Sequence, residues 1–434
     1  MNELFNLDFN NKLSKRWLLI GVLSLAIAGL FSLVLVVART PSLATIPLFN
    51  NLFHSALVVH VDLSVLVWFL SIACMFWSLS ANRYHCFMPY IEEAAQICFV
   101  SGMFFIAASP FDGKAEALMS NYIPVITSPL FFFGLSFLLC GVGLMLARLF
   151  LTFNALRSTN YAIISSAVIT VISIIAFVWS FQIMPPQIEG QQVYELGFWA
   201  GGHILQFTHT QILMICWLFL AGVNQNYKLL FSIGFVATIA SPVAYILYDI
   251  TSMEYREFFT NIMIMAGGIA PTILAFYIIP VLWKNAQKNA IWISLFMSVL
   301  LFMYGGFLAG LIHGQNVIIP AHYHGSIVGI TLAFMGVVYL FLPKFNYKDV
   351  SNWRLAFWQP IIYGGGQILH ISGLAWSGGY GVLRKTPGVA NEISLNIKIA
   401  MGFMGLGGLL AIIGGFIFIL VVVKAVRKST FSNI

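Results

Sequence analysis

The sequence predicts an all-α, polytopic membrane protein built as a bundle of twelve transmembrane helices. Its composition is the first indication, since 60% of the 434 residues are hydrophobic and only 8% are charged. A soluble domain carries about 25% charged residues. So few charges cannot cover a water-facing surface, and the lipid bilayer is therefore the expected solvent of this chain.

Long apolar runs are the second indication. Runs of about 17–25 residues, long enough to cross the hydrocarbon core, recur along the whole chain. We read the first run as a retained signal anchor because no small-residue cleavage site follows it. We expect one membrane domain over residues 1–434, with a short N-terminal segment 1–16 and a C-terminal tail 424–434. The runs lie near residues 17–37, 57–80, 94–110, 126–149, 161–181, 198–222, 229–248, 259–283, 290–312, 321–342, 356–376 and 397–424.

The distribution of basic residues is the third indication. With twelve spans and a cytoplasmic N-terminus, 15 of the 21 Lys and Arg residues fall on the cytoplasmic side. The positive-inside rule therefore predicts a multi-pass protein of the cell inner membrane with both termini in the cytoplasm. The net charge is +7, but the basic residues are scattered singly between apolar runs. Nucleic acid is therefore not an expected partner. The five cysteines form no CxxC pair, so neither a disulfide framework nor a Cys-ligated zinc site is expected.

Histidines inside the predicted spans are the candidate functional residues. A histidine within a membrane is costly and tends to be functional. Five of the nine histidines share one depth in the outer half of the membrane, namely His60, His203, His322, His324 and His370. Residues two apart on a helix point about 200° apart, so His322 and His324 are suited to two sites on opposite faces. Imidazole is a common axial ligand of haem iron. A hydrogen-bonded packing residue is the alternative reading of each single histidine.

The segments around these histidines resemble subunit I of the haem–copper oxidases. The stretch HGQNVIIPAHYHGSIVGITLAFMGVVYLFLP is similar to the tenth helix of that family, and HSALVVHVDLSVLVWFL is similar to the second. The stretch FWAGGHILQF resembles the sixth helix, and QILHISGLAWSGGYGVLRKTPG resembles the segment after the eleventh. The resemblance covers most of the chain and agrees with a twelve-helix bundle.

The resemblance implies a role for each matching histidine. It implies that His60 and His324 are the two axial ligands of a low-spin haem. His322 would bind a second, five-coordinate haem. His203 matches a copper ligand on the sixth helix and is the candidate for a vestigial copper ligand.

A basic pair in the last outer loop also matches the family. Arg384 and Lys385 correspond to residues that contact haem propionates, and Arg can pair with a carboxylate through two hydrogen bonds. Ordinary loop charge is the alternative reading of this pair.

The copper site of the family is incomplete in this sequence. The family has an adjacent His-His pair on the seventh helix, where Ala244 and Tyr245 stand here. Phe207 replaces a tyrosine that follows the copper histidine in many members. A single imidazole from His203 cannot hold copper tightly. We therefore expect no standard copper centre, and the sequence gives no support for proton pumping.

The sequence thus predicts a haem-binding integral membrane protein of respiratory electron transfer, with two haems of unspecified type. The expected partners are the lipid bilayer, further respiratory subunits, an electron donor and a small gaseous ligand. It stays open whether the protein is an oxidoreductase of the cytochrome c oxidase type. One alternative is a non-catalytic haem protein, such as an electron conduit, gas sensor or assembly factor. Another is a haem-free transporter, for which Gly or Pro breaks at mid-bilayer would be typical.

Overall fold

The predicted all-α, multi-pass fold is confirmed in the computed structural model. Eleven helical segments in the described part of the chain are long and apolar enough to cross a membrane. They overlap eleven of the predicted spans. The remaining span, predicted at 356–376, is the 26-residue helix Arg354–Gly379, which is long enough to cross but richer in glycine and polar residues. The structure describes residues 7–39, 47–81, 88–113, 116–152, 161–225, 227–284, 288–313, 316–380 and 395–427.

The chain divides into two compact units. The first comprises Met1–Ile215 with Asn224–Leu274, and the second comprises Cys216–Val223 with Ala275–Ile434. Each unit has its own buried apolar core. The single membrane domain expected over 1–434 stays a prediction.

The first unit is helical apart from a small antiparallel pair of strands, β1 Ala117–Leu118 and β2 Val125–Ile126. Ser128 precedes the helix Pro129–Leu151, and its side chain caps this helix by accepting from the backbone N–H of Leu130. Its helices, of which α8 and α12 continue into the second unit, are α1 Lys12–Arg39, α2 Pro47–Val61, α3 Trp68–Ser80, α4 Met88–Ala108, α5 Pro129–Leu151, α6 Tyr161–Gln182, α7 Gln191–Gly197, α8 Trp199–Ala221, α9 Lys228–Ala240, α10 Ala244–Leu247, α11 Met253–Ile262 and α12 Ile269–Lys284.

A π-helical turn interrupts the second span. It comprises Asp62–Val67 and joins α2 to α3, beginning two residues after His60. The hydroxyl of Ser64 donates to the carbonyl oxygen of His60 at 2.6 Å. Asp62 is only 1% exposed, and neither of its carboxyl oxygens has a hydrogen-bond partner among the described residues. Single π-helical turns within α-helices frequently occur at functional sites.

A buried ion pair joins four helices of the first unit. Arg148 of α5 lies 3.0 Å from Glu92 of α4, and the two side chains are 1% and 0% exposed. The indole N–H of Trp17 on α1 donates to the same carboxylate at 3.1 Å. The hydroxyl of Ser78 on α3 donates to it as well. Because two charges in a low-dielectric interior need such partners, this network fixes α1, α3, α4 and α5 at one end of the membrane.

The second unit contains four long helices whose backbones approach closely at glycines. A Cβ on Gly305 would lie 2.5 Å from the backbone nitrogen of Ser326, and one on Gly373 would lie 2.5 Å from the carbonyl oxygen of Ala400. Because no side chain separates the backbones there, carbonyl oxygens of one helix come within reach of side chains on the next. The helices are α13 Ala290–Ala309, α14 Ile318–Phe341, α15 Arg354–Gly379 and α16 Leu395–Arg427.

Candidate functional site

His60 lies at the end of α2 and is held by the neighbouring helix. Its Nδ1 is 2.9 Å from the carbonyl oxygen of Ala28 on α1. A carbonyl oxygen only accepts, so Nδ1 carries the proton and Nε2 carries the lone pair. The side chain is half-buried, and no hydrogen bond from the described residues reaches Nε2. Metal-ligating histidines are oriented by the same kind of Nδ1–H bond to a carbonyl, so His60 fits a haem ligand.

His322 and His324 lie in the second turn of α14 and face different helices. Nδ1 of His322 is 2.8 Å from the carbonyl oxygen of Gly305 on α13. The ring of His324 instead lies beside that of His370 on α15, with 5.3 Å between the ring centroids. The two histidines therefore diverge as the two-residue spacing predicts.

His324 and His370 are also anchored through Nδ1. Nδ1 of His324 is 2.8 Å from the carbonyl oxygen of Pro320, one turn earlier on the same helix. Nδ1 of His370 is 2.8 Å from the carbonyl oxygen of Met404 on α16. Both rings are half-buried, like that of His322. In all three, the carbonyl acceptor assigns the proton to Nδ1 and leaves Nε2 as the basic nitrogen.

His203 on α8 has both ring nitrogens engaged. Nδ1 donates to the carbonyl oxygen of Trp199 at 2.7 Å, and Nε2 accepts from the hydroxyl of Tyr122 at 2.7 Å. The rings of Tyr122, Trp199 and Phe259 lie 4.7, 4.8 and 6.0 Å from the imidazole. The side chain is only 4% exposed. In this arrangement neither nitrogen of His203 is available to a metal ion.

Tyr122 reaches His203 from the turn between β1 and β2. Its φ is +67°, a conformation that is uncommon for a residue other than glycine. The adjacent Asn121 is fixed because its backbone and side-chain N–H groups both donate to the carboxylate of Glu195 on α7. Removal from water, and then the charge of Glu195, raises the pKa of the Tyr122 phenol. The hydroxyl therefore stays protonated and donates to His203.

The positions that would carry the other copper ligands, Ala244 and Tyr245, are packed against a hydrophobic core. Ala244 belongs to a buried cluster of the first unit with Phe207, Tyr255 and Phe259, and Tyr245 packs against that cluster. The described residues contain no group of three or more His, Cys, Asp or Glu side chains placed to hold a metal ion. With His203 bonded through both nitrogens, the residues at these positions do not fit a copper ion.

Arg384 and Lys385, the residues expected to contact propionates, lie outside the described residues. Sequence reasoning missed two features of the site, which are the Tyr122–His203 hydrogen bond and the contact between His370 and His324. The first joins residues 81 positions apart through an unusual turn, and no local sequence pattern signals such a pairing. The sequence places His370 at the same depth as His324, but it does not indicate that the two rings meet.

The fold places the chain in a known structural class. A chain of a heme–copper terminal oxidase dimer, determined by cryo-EM, matches 98% of this chain and 85% of its own length with a TM-score of 0.70. The sequences are 15% identical in that match. The protein therefore has the heme–copper oxidase fold, as the sequence resemblance implied.

Sequence comparison identifies the family within this class. The uncharacterized protein RP382 of Rickettsia prowazekii (strain Madrid E) is 34% identical in an alignment that covers 95% of this chain and 96% of the relative. The chain belongs to the same family as this protein. An uncharacterized protein of Aquifex aeolicus (strain VF5) is 28% identical over 349 residues, covering 77% of this chain and 85% of the relative. No profile of a known protein family matches the sequence.

Proposed function

We propose that the protein is a haem-binding integral membrane protein of respiratory electron transfer. In this proposal His60 and His324 would bind a low-spin haem, and His322 would bind a second, five-coordinate haem. The observation that carries the proposal is the common state of these three imidazoles. Each donates Nδ1–H to a backbone carbonyl, which fixes the tautomer that coordinates through Nε2 and makes the imidazole a stronger ligand.

The chain's own residues would orient and hold the cofactor. The carbonyl oxygens of Ala28, Gly305 and Pro320 set the direction of the three imidazoles, while Arg384 and Lys385 are proposed to pair with the propionates. A haem with two imidazole ligands carries electrons, and a five-coordinate haem leaves a position for a small ligand such as oxygen, nitric oxide or carbon monoxide.

The environment of His203 favours a second version of this function. Its imidazole has no nitrogen left for copper, and copper-dependent oxygen reduction needs such a ligand. This supports a haem protein that transfers electrons or binds a small gas without reducing oxygen at a copper centre. An electron conduit, a gas sensor and an assembly factor are all of this kind.

The proposed location is the cell inner membrane, with both termini in the cytoplasm. The excess of basic residues on one side of the twelve spans supports this orientation. The proposed partners are further respiratory subunits and an electron donor.

The test is an optical spectrum of the purified protein, reduced with and without carbon monoxide, with haem quantified by extraction. We expect about two haems per chain, with sharp low-spin bands and a fraction whose bands shift with carbon monoxide. Low-spin bands without that response would support the electron conduit and contradict the proposed five-coordinate haem. A colourless protein after expression with ample haem would overturn the proposal in favour of the transporter.

A further inference from the structure

His370 has no role in the proposed ligand set, although a hydrogen bond and a ring contact fix its side chain. Nδ1–H donates to the carbonyl oxygen of Met404 on α16 at 2.8 Å. This bond orients the imidazole of His370, whose ring centroid lies 5.3 Å from that of His324 with 50° between the ring planes.

Glycines of α16 make this anchoring geometry attainable. The backbone of Gly407 lies directly against that of His370, where a Cβ would collide. A Cβ on Gly408 would lie 3.4 Å from Nδ1 of His370. Since neither glycine has a side chain, α16 comes close enough for the Met404 carbonyl to accept the hydrogen bond.

The ring of His324 is contacted on more than one side. Its Nδ1–H bond to the carbonyl oxygen of Pro320, on the same helix, sets the direction of the ring. The ring of Tyr323 is stacked against it with centroids 5.0 Å apart and 28° between the planes. The ring of His370 contacts it from the neighbouring helix. These contacts restrict the imidazole plane of His324 to one orientation.

We propose that His370 is a positioning residue that sets the orientation of the His324 imidazole plane. This inference rests on the proposed function, in which His324 binds a low-spin haem. The plane of an axial imidazole determines which iron d orbital it overlaps, so its orientation is recorded in the electron paramagnetic resonance of the oxidised haem. Residues that orient a ligand in this way also tune affinity and reduction potential.

The experiment uses the full-length holoprotein and four variants in parallel. His370→Ala removes the ring, His370→Phe keeps a ring in its place, and His370→Gln keeps a donor for the Met404 carbonyl. His313→Ala is the matched control, because His313 is an exposed histidine of the same unit. The readouts are the g-values and midpoint potential of the low-spin haem, haem transfer to an apoprotein acceptor, and the thermal unfolding midpoint.

We expect His370→Ala to change the g-values and to increase haem loss to the acceptor about tenfold. His370→Phe should return the g-values toward those of the wild type, since it restores a ring beside His324, and His313→Ala should match the wild type. His370→Gln should resemble His370→Ala in its g-values, because a hydrogen bond without a ring does not restrict the imidazole plane.

The inference is overturned if His370→Ala keeps the wild-type g-values, even when its unfolding midpoint falls. It is also overturned if His370→Phe and His370→Ala are indistinguishable in g-values. Failure of the proposed function gives a different result, because the wild-type protein would then show no low-spin haem. That result would be seen before any variant is compared. If His370→Ala does not fold, the comparison of the Phe and Gln variants decides the question.

Discussion

His60 and His203 show how two similar histidines of one unit differ in what they can do. Each lies within a predicted transmembrane segment, and each donates Nδ1–H to a backbone carbonyl, that of Ala28 or that of Trp199. The difference is at the other nitrogen. Nε2 of His203 accepts from Tyr122, whereas no described residue engages Nε2 of His60.

The comparison shows that a carbonyl anchor prepares an imidazole for coordination without deciding its use. A buried polar group with all its partners contributes to stability, since losing any one of them leaves an unsatisfied atom. A partly exposed polar group with one nitrogen or oxygen not used in a hydrogen bond is suited to binding a ligand. His203 is 4% exposed and belongs to the first kind, while His60 belongs to the second.

The largest effect is expected from a direct exchange of the two histidines for alanine. His60→Ala should abolish the low-spin haem spectrum, because the proposed iron ligand is lost. His203→Ala should keep the haem content and lower only the stability. Haem extraction and reduced-minus-oxidised spectra of both variants check this. Loss of haem in His203→Ala, or its full retention in His60→Ala, would break the comparison.

A second experiment measures how much a buried ion pair contributes to the stability of this unit. Arg148→Ala leaves the Glu92 carboxylate buried without its charge partner, so the free energy of unfolding should fall by about 3–5 kcal/mol. The control is Arg16→Ala, which breaks the neighbouring exposed pair with Glu93 at 3.2 Å and should change stability by less than about 1 kcal/mol. Equilibrium unfolding in mixed micelles gives both values. Equal values for the two variants would contradict the assignment of the buried pair.

The smallest effect on stability is expected from the loss of the hydrogen bond between Tyr122 and His203. Tyr122→Phe leaves Nε2 of His203 without a donor, which should cost about 1–2 kcal/mol of unfolding free energy and leave the haem spectrum unchanged. The same substitution in a His203→Ala background should cost much less, because the two residues are coupled. Additive effects in this double-mutant cycle would show that the hydrogen bond does not stabilise the protein.

The positions of the helices were predictable because span length and apolar composition are local properties of the sequence. The divergence of His322 and His324 was predictable because helix geometry fixes the angle between them. The predicted third span, 94–110, begins later than α4, which starts at Met88. Glu92 and Glu93 shorten the apolar run, and the sequence does not show that Glu92 is neutralised by Arg148.

The remaining features depend on residues distant in sequence. Tyr122 meets His203 only because a turn with positive φ is held by Glu195. The carbonyl oxygen of Met404 reaches His370 because glycines let α16 approach α15. Hydropathy and helical spacing contain no information about such pairings. The Tyr122–His203 hydrogen bond and the contact between His370 and His324 therefore could not be predicted.

The π-helical turn Asp62–Val67 is equivalent to one residue inserted into an α-helix. Each α-helical residue advances the helix by roughly 100°, so the turn rotates α3 by about that angle relative to α2. The faces of Trp68–Ser80 therefore do not follow from counting in steps of 3.6 from His60. A relative with one residue fewer between His60 and Trp77 could keep both residues on the same faces of the span with a regular α-helix. Such a gap in an alignment would mark the loss of this turn, with the histidine still in its place.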